Sequence, residues 1–230
     1  MPATRSDHST IVVAVDGPSG SGKSSVSRGI ARRLGLRYLD TGSMYRAMAW
    51  WMAQQGIDVH DADAVAAACG QPSIEAGTDP EAPTIRVDGR DVSGPIRTRE
   101  VTAVVSPVSA VPAVRSRLVA LQRGAIGAGG IVVEGRDIGT VVAPDAAAKI
   151  FLTARAVVRA QRRAAELSAD PAVDANVTLT ELRNRDTIDT QRAASPLLKA
   201  ADAVEIDASE RSLDEVIAAA VDVVLARTAR

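Results

Sequence analysis

Short, continuous apolar runs recur along the chain, and they alternate with segments whose apolar residues have helical spacing. A run that is apolar at every position is typical of a strand buried on both faces of a parallel sheet. Because strands that alternate with helices connect through right-handed crossovers, the pattern predicts an α/β fold with a five-stranded parallel sheet flanked by helices. The predicted strands are Ile11–Val15, Arg37–Leu39, Ile131–Val133, Lys149–Leu152 and Ala203–Ile206.

A polar region, residues 61–94, interrupts this alternation. Within it, Asp88-Gly89 separates two short alternating segments, Thr84–Val87 and Arg90–Val92. Asp-Gly between such segments is typical of a β-hairpin, and Ser73–Glu75 is a candidate third strand. We therefore predict that residues 61–94 form a small antiparallel β insert.

Helix starts are predicted at three places. Ser24–Leu34 follows a glycine-rich turn and has helical spacing. Thr178 with Glu181, and Ser212 with Glu215, match the capping box. In that motif the first and fourth side chains each accept a hydrogen bond from the other residue's backbone amide.

Length and composition are those of an ordinary globular protein. The 230 residues predict a single domain, residues 1–230, and a content of 46% hydrophobic and 24% charged residues argues against disorder across the chain. No apolar run reaches the roughly 18 residues needed to span a membrane, and residues 1–10 do not match a secretory signal. The single cysteine, Cys69, excludes an intramolecular disulfide framework and a cysteine-based zinc site. These features favour a cytoplasmic protein.

The formal net charge is −1, so no global field attracts a nucleic-acid backbone, and no nucleic-acid partner is expected. Of the 27 basic residues, 24 are arginines. The guanidinium fork suits phosphate recognition, although coding bias explains such an excess equally well. Any site for a polyanion must therefore be local.

The clearest motif follows the first predicted strand. Residues 17–24 match G-x-x-x-x-G-K-[ST] between a buried strand and a helix. The glycines allow backbone amides to surround a di- or triphosphate, and the helix N-terminus adds partial positive charge. Lys23 is expected to contact the β and γ phosphates, and the Ser24 hydroxyl to bind Mg²⁺. The predicted ATP-binding residues are Gly17, Pro18, Ser19, Gly20, Ser21, Gly22, Lys23, Ser24 and Ser25.

This loop alone leaves GTPases, ATPase motors, small-molecule kinases and nucleotide-dependent ligases open. The sequence has no Asn-Lys-x-Asp element for reading guanine, so an adenine nucleotide is the expected donor. No Ser-His-Asp or Cys-His arrangement can be assembled, because His8 and His60 lie in polar segments and Cys69 has no catalytic partner. Covalent catalysis is therefore disfavoured, whereas phosphoryl transfer needs only positioning and charge stabilisation.

Polar side chains follow the second and third predicted strands, at the edge where α/β sheets bind ligands. After the second strand, Thr41 can cap a helix, and Arg46 lies about one turn later, where it would face an anionic acceptor. A cap and a surface arginine are the plainer interpretation. After the third strand, Gly135 permits a tight turn that directs Arg136 and Asp137 toward the cleft, unless the two form only a structural salt bridge.

Three or four guanidinium groups share one face of a predicted helix, because the four arginines lie at spacings of four, seven and eight residues from the first. They are Arg155, Arg159, Arg162 and Arg163. Glu166 is the only acid near them, so this face repels itself until an anion binds, and we interpret it as a lid that closes over phosphates. Arg185, Asp189 and Arg192 share a second face, which suits either a hydroxyl-bearing ligand or an ordinary salt-bridged helix.

Taken together, these strings resemble bacterial cytidylate kinases, within the nucleoside-monophosphate kinase superfamily. The resemblance covers almost the whole chain, from about Thr10 to Leu225. Gly-Arg-Asp-x-Gly-Thr-Val combined with Asp-Val-Ser-Gly is far more specific than the phosphate loop alone. The matching strings are Val15–Ser24, Leu39–Arg46, Asp91–Arg97, Gly135–Val142, Lys149–Leu152, and Arg185-Asp186 with Asp189 and Arg192.

The resemblance implies a phosphate-loop kinase fold with a short helical lid over residues 154–175, in a protein that is a monomer. The insert would enlarge the monophosphate-binding region. The implied activity is phosphorylation of CMP and dCMP by ATP, with Mg²⁺ as cofactor, in pyrimidine nucleotide metabolism. Kinases for UMP, AMP or shikimate, and a nucleotide-binding module without kinase activity, are the alternatives.

The resemblance also assigns site residues position by position. The implied readers of the cytosine edge are Ser106, Arg115 and Asp137, and the implied ribose ligands are Arg185 and Asp189. Those implied to anchor the acceptor phosphate, or to support the base-reading residues, are Arg46, Arg136 and Arg192. Thr41 and Tyr45 complete the expected CMP-binding set, and the expected catalytic residues are Lys23, Arg136, Arg155, Arg159 and Arg163. Glu134 either helps to hold Mg²⁺ through water or is a buried structural carboxylate.

Overall fold

The computed structural model describes residues 9–166, 175–192 and 194–229. The strands are β1 (Val12–Asp16), β2 (Arg37–Asp40), β3 (Ile74–Ala76), β4 (Ile85–Val87), β5 (Arg90–Asp91), β6 (Ile131–Gly135), β7 (Ala148–Thr153) and β8 (Val204–Asp207). The helices are α1 (Lys23–Leu34), α2 (Thr41–Gln54), α3 (Ala62–Ala68), α4 (Arg99–Ala110), α5 (Pro112–Ile126), α6 (Ala156–Glu166), α7 (Ala175–Gln191) and α8 (Leu213–Thr228). Two shorter turns are a 3₁₀ turn (Pro95–Arg97) and a π-helical turn (Ile138–Val142).

The main sheet has five parallel strands in the order β2-β6-β1-β7-β8. The predicted fold class is therefore confirmed, and each predicted strand is present with its ends shifted by at most two residues. The last residue of β1, Asp16, lies opposite Gly135 of β6, and Asp40 of β2 lies opposite Glu134. The carboxyl ends of these three strands therefore meet at one edge of the sheet.

The insert contains a three-stranded antiparallel sheet in the order β3-β4-β5. Asp88 and Gly89 form its hairpin turn with φ angles of 50° and 78°, the conformation required at both central positions of a type I′ turn. The Asp88 carboxylate also accepts hydrogen bonds from the Ser73 amide and from Trp51 Nε1. The predicted hairpin and third strand are both present, whereas the sequence pattern does not predict α3, which Asp61 caps.

Helices cover both faces of the main sheet and form two hydrophobic cores. One face packs against α1 and α8 through Ile30, Ile217 and Val224. The other packs against α2, α4, α5 and the insert, with Met48 and Leu118 fully buried. The helix that follows the phosphate loop therefore belongs to the first layer, and the helices that carry the predicted acceptor residues belong to the second.

Two of the three predicted helix starts are confirmed. Helix α1 begins at Lys23, one residue before the predicted start. Ser212 caps α8 in a complete capping box with Glu215. The predicted start at Thr178 is wrong, because α7 already begins at Ala175 and Thr178 lies within its first turn. The intervening residues include no proline or glycine, so nothing in the local sequence stops the helix from extending toward its N-terminus.

Helices α4 and α5 form a bent pair with axes that differ by 97°. Pro112 opens α5 immediately after the bend, and the apolar faces of both helices, including Val105 and Leu118, are buried in the second core. Among the described residues no single helix is long and apolar enough to cross a membrane. Only this bent pair, with its two helices taken together, reaches that length and apolar content.

Candidate active site

A cleft of about 850 Å³ opens at the carboxyl edge of the main sheet. Residues 19–25 of the phosphate loop form one wall. The opposite wall includes Arg46 of α2 and Ser106 of α4, and helices α6 and α7 contribute Arg163 and Arg185. One cavity therefore combines predicted donor-binding and acceptor-binding residues.

The phosphate loop turns directly from β1 into α1. Gly17 has no room for a side chain, because a Cβ atom there would lie 2.1 Å from the carbonyl oxygen of Leu152. Gly22 is the N-cap of α1 and has a φ angle of 91°, a conformation that favours glycine. The first amides of α1 have no partner within the helix, so they are available to phosphate oxygens.

Lys23 is the first residue of α1, and its side chain is buried beside the loop. Its Nζ donates to the carbonyl oxygen of Pro18 at 2.7 Å and lies 3.5 Å from Ser21 Oγ. Burial lowers the pKa of Lys23, and the positive charge of Arg136 adds to that effect. A bound phosphate would oppose both influences, so it would favour the protonated lysine.

Glu134, at the end of β6, is a buried carboxylate that lines the cleft. The Tyr38 hydroxyl donates to its Oε1 at 2.5 Å, and Thr41 Oγ1 donates to its backbone carbonyl at 2.7 Å. Its Oε2 is buried without a hydrogen-bond partner among the described residues. Burial, followed by the charge of Asp40, raises the pKa of Glu134. An added cation would therefore stabilise the ionised form of Glu134.

These residues fit a magnesium ion that arrives with a nucleotide. Mg²⁺ is usually held by one or two protein oxygens together with waters and substrate phosphates. Ser24 is exposed to the cleft and lies close enough to Glu134 to lower the pKa of that carboxylate. In the described part of the chain no group of three or more His, Cys, Asp or Glu side chains can hold a metal by itself. A magnesium ion here would therefore depend on phosphate ligands.

Four arginines line the acceptor part of the cleft: Arg46, Arg136, Arg163 and Arg185. Burial, followed by the positive charges of Arg185 and Arg163, lowers the pKa of Arg46 to about 9. Burial, followed by Arg136, lowers the pKa of Arg185 to about 10. Arg46 is also held in place, because its Nη1 donates to Thr102 Oγ1 at 2.9 Å. Guanidinium groups in this arrangement repel one another, so an anion in the cleft would stabilise them.

Asp189 of α7 joins two of the predicted acceptor arginines. Its carboxylate accepts from Arg136 Nε at 2.9 Å and lies 3.5 Å from Arg192 Nη1. Burial raises the pKa of Asp189, but Arg136, Arg185 and Arg192 outweigh it, and the pKa lies below its usual value. Arg136 therefore pairs with Asp189, and the salt bridge with Asp137 that the sequence leaves open is absent from the ion pairs of the described residues.

Asp137 pairs with Arg115 of α5 at 2.5 Å, and both side chains are almost completely buried. The guanidinium group lies over the Tyr45 ring, 5.2 Å from its centroid. Arg115 Nε is buried without a hydrogen-bond partner among the described residues. Burial raises the pKa of Tyr45, and the side chain of Gln122 lies close enough to the hydroxyl to oppose that rise. Of the predicted base-reading residues, only Ser106 lines the cleft. The other two are buried outside the residues that line the cleft, next to the Tyr45 ring.

Arg159 of the predicted lid is buried against the phosphate loop. Its Nη1 donates to the carbonyl oxygen of Ser19 at 2.8 Å and pairs with Asp186 of α7 at 2.7 Å. A Cβ atom on Gly20 would lie 3.2 Å from Arg159 Cβ. Arg159 therefore links α6 and α7 to the outer side of the loop and does not line the cleft.

The other three lid arginines differ in position. Arg162 and Arg163 line the cleft. Arg155 lies outside it, because its largely exposed side chain pairs with Glu210. Two of the four arginines therefore line the cleft, and the interpretation of this helical face as a lid over phosphates stays a prediction. Of the predicted lid, residues 154–175, the segment 167–174 lies outside the described residues.

Sequence reasoning misses several residues that hold this site together. Tyr38 and Gln122 lie within apolar segments, where a single polar residue is a weak signal, and Thr102 is recognisable only as the partner of Arg46. Asp16 precedes the phosphate loop at the end of an apolar strand. A carboxylate at such a buried position is a signal that could have marked it.

Known proteins of one family match nearly the whole chain. The sequence model of the family described as cytidylate kinase matches residues 13–226. The chain is 56% identical over 216 residues to a cytidylate kinase of Streptomyces avermitilis, covering 93% of this chain and 92% of that protein. It is 53% identical over 209 residues to a cytidylate kinase of Mycobacterium avium, covering 90% and 92%.

Among solved structures, an uncharacterized protein from Eubacterium ventriosum superposes with a TM-score of 0.51 at 11% identity. The match covers 93% of this chain and 98% of that one, and at this identity it supports the fold alone. The sequence matches are far closer and nearly complete in both directions. The chain belongs to the cytidylate kinase family.

Proposed function

We propose that this protein transfers the γ-phosphoryl group of Mg-ATP directly to the phosphate of CMP or dCMP and so forms the nucleoside diphosphate. The observation that carries the proposal is the cluster Arg46, Arg136, Arg163 and Arg185, which faces the phosphate loop across one cleft. The mutual repulsion of these arginines favours a site that is filled by an anion. Family membership identifies that anion as the phosphate of a cytidine nucleotide.

On the donor side, residues 17–25 surround the triphosphate with backbone amides, and Lys23 supplies a positive charge next to the β and γ phosphates. Ser24 and Glu134 would hold the magnesium ion. When bound, Mg²⁺ neutralises charge on the phosphates as the transfer proceeds. Tyr38 keeps Glu134 oriented through its 2.5 Å hydrogen bond.

On the acceptor side, Arg46, Arg136 and Arg192 anchor the monophosphate, while Arg185 and Asp189 hold the ribose. The acceptor phosphate has a second pKa near 6, so it is already largely ionised at pH 7 and needs no general base. The site contains no histidine in its described part, which agrees with this chemistry. Catalysis then rests on alignment of the two phosphates and on stabilisation of the charge between them.

Arg115, Asp137 and Ser106 are the residues that read the base. In this structure Arg115 and Asp137 bond each other at 2.5 Å. A cytosine ring has both a donor, its amino group, and acceptors, so each member of the pair has a complementary atom on the base. We infer that the ligand opens this pair and that Ser106 adds a third contact.

The helices α6 and α7 contribute Arg162, Arg163 and Arg185 to the lining of the cleft. Their closure would exclude water and bring these charges to the transferring group. The expectations of a monomer and of a cytoplasmic location stay predictions, as does the place of the reaction in pyrimidine nucleotide metabolism.

The direct test is ADP production from Mg-ATP by the purified protein, with CMP, dCMP, UMP, AMP, shikimate or no acceptor in separate reactions. We expect strong dependence on CMP and dCMP and weak turnover with UMP and AMP. Slow ATP loss that ignores every acceptor would contradict the proposal and favour a nucleotide-binding module. Dependence on another acceptor would retain the kinase and replace its substrate.

A further inference from the structure

Asp16 is a buried carboxylate that joins the donor loop to the acceptor turn. It is the last residue of β1 and directly precedes Gly17 of the phosphate loop. Its side chain is 5% exposed. Oδ1 accepts from the Ile138 amide and Oδ2 from the Gly139 amide, each at 2.8 Å. Both carboxylate oxygens are therefore used on one short stretch of backbone.

The two amides belong to the turn that carries the acceptor residues. Ile138 and Gly139 begin the π-helical turn immediately after Arg136 and Asp137. The pairing of β6 with β1 ends at Gly135, which lies opposite Asp16. Beyond that point the carboxylate continues the attachment with two further hydrogen bonds.

The fit at the second amide is close. A Cβ atom on Gly139 would lie 3.4 Å from Asp16 Oδ2 and 3.1 Å from Lys149 Cδ. A methyl group at Gly139 would therefore crowd the Lys149 side chain, and it would reach ordinary van der Waals contact with the Asp16 carboxylate. The two 2.8 Å hydrogen bonds to Asp16 are what fix the separation between the two segments.

A carboxylate at this position has an electrostatic cost. Burial raises the pKa of Asp16 to about 6, and the charge of Asp137 adds to the effect, although the two amides and Lys23 oppose it. The end of a buried strand would accept an apolar side chain without that cost. The hydrogen bonds from the Ile138 and Gly139 amides offset part of that cost, and they fix the position of the turn.

We propose that Asp16 is a positioning residue that fixes the turn bearing Arg136 and Asp137 relative to the phosphate loop, and so sets the separation between acceptor and donor. The inference rests on the proposed function for its substrates. It concerns a residue that touches neither nucleotide and acts through the acceptor turn.

The test is the variant Asp16→Asn, which keeps the size of the side chain but replaces one acceptor oxygen with an amide donor that faces a backbone N–H. We expect the dissociation constant for CMP, measured by calorimetry, to rise about tenfold or more, since a lost charged hydrogen bond has about that effect. The KM for CMP should rise in parallel, and discrimination of CMP over UMP should fall. The dissociation constant for ADP, measured in the same way, should change by no more than about twofold.

The matched control is Val224→Ala. This variant leaves a cavity in the core between the main sheet and α8, so it lowers stability without changing a residue that lines the cleft. Its CMP and ADP constants should stay at the wild-type values. Equal weakening of CMP and ADP binding in Asp16→Asn, or the same CMP effect in Val224→Ala, would overturn the inference.

A second variant covers the case in which Asp16→Asn does not fold. Asp16→Glu keeps the charge but lengthens the side chain by one methylene, so its carboxylate can bond the two amides only if the turn is displaced. It should weaken CMP binding in the same selective way, and an unchanged CMP constant would contradict the proposal. A wild-type protein that phosphorylates no cytidine nucleotide would instead contradict the proposed function.

Discussion

The donor and acceptor halves of the cleft are built on different principles. The donor half consists of one contiguous stretch, residues 17–25, whose backbone amides and helix N-terminus form most of the binding surface. The acceptor half consists of side chains from α2, α4, α5, α6, α7 and the turn after β6. A triphosphate common to many enzymes is recognised by backbone, whereas a particular acceptor requires side chains brought together by tertiary packing.

The two halves also differ in how their charges are balanced without ligands. On the donor side Lys23 bonds only neutral oxygens, Pro18 O and Ser21 Oγ, in the hydrogen bonds found for it. On the acceptor side Arg115 and Arg136 are paired with the carboxylates Asp137 and Asp189. An acceptor must therefore exchange existing ion pairs for its own contacts, whereas a donor meets a lysine that Glu134 and Asp16 influence electrostatically without a salt bridge among the described ion pairs. Substitutions in the two halves should consequently affect different kinetic constants.

The largest effect is expected for Lys23→Met. The variant removes the charge beside the transferring phosphate, so kcat should fall by about a thousandfold. CMP binding should stay within a few-fold of wild type, because the acceptor arginines are untouched. Steady-state kinetics and calorimetry measure the two quantities, with Lys199→Met, which removes only a surface pair with Glu205, as the control. Full activity of Lys23→Met would remove the assigned role of the donor loop.

Arg136→Met should produce the next largest effect, on the acceptor side. It removes one of four clustered guanidinium groups and leaves Asp189 with a weaker partner, so the KM for CMP should rise by about ten- to a hundredfold. The KM for ATP should change much less. Arg32→Met is the control, because that arginine pairs with Glu81 on the surface. Unchanged saturation by CMP would show that Arg136 does not belong to the acceptor half.

Glu134→Gln tests whether the carboxylate that lies between the two halves helps to hold Mg²⁺. The amide keeps the size of the side chain but offers a weaker ligand for a cation, so the Mg²⁺ concentration for half-maximal activity should rise about tenfold. Tyr38→Phe, which removes only the hydrogen bond to Oε1, should shift the same value less. A Mg²⁺ requirement that is the same in both variants and wild type would make Glu134 a structural carboxylate.

The contrast between the halves also explains what could be predicted from sequence. The five strands and the hairpin follow from local patterns, because apolar runs and Asp-Gly turns act over a few residues. The donor loop is likewise local. Arg46 and Arg136 are predictable as candidates from their place after parallel strands, since that edge is common to the fold class.

The partners of those residues are not predictable in the same way. Arg136 pairs with Asp189, 53 positions away, and not with its neighbour Asp137. Helical spacing puts Arg155 and Arg159 on one face, yet one is exposed beside Glu210 and the other is buried against Ser19. Periodicity gives the face of a helix, whereas the direction and partner of each long side chain depend on what packs against it. The start of α7 before Thr178 has a similar cause. A capping-box sequence allows a helix to begin at its first residue, but it does not prevent the helix from beginning earlier.

The smallest expected effect concerns Asp16, which contacts both halves, and it appears in stability. Burial raises the pKa of Asp16 to about 6 from an ordinary value near 3.8, with Lys23 and Asp137 as its charged neighbours. Because the folded state binds this proton more tightly than the unfolded state, the wild-type protein should gain stability as the pH falls through 6, relative to Asp16→Asn. Linkage gives a gain of about 1 kcal/mol between pH 7.5 and pH 5. Urea unfolding of both proteins at the two pH values measures it. Titrating groups that do not interact with Asp16 cancel in the difference, and Asp16→Asn in a Lys23→Met background removes the contribution of Lys23, which does interact with it. A difference in unfolding free energy that does not change with pH would mean that Asp16 keeps an ordinary pKa, and that joining the two halves carries no electrostatic cost.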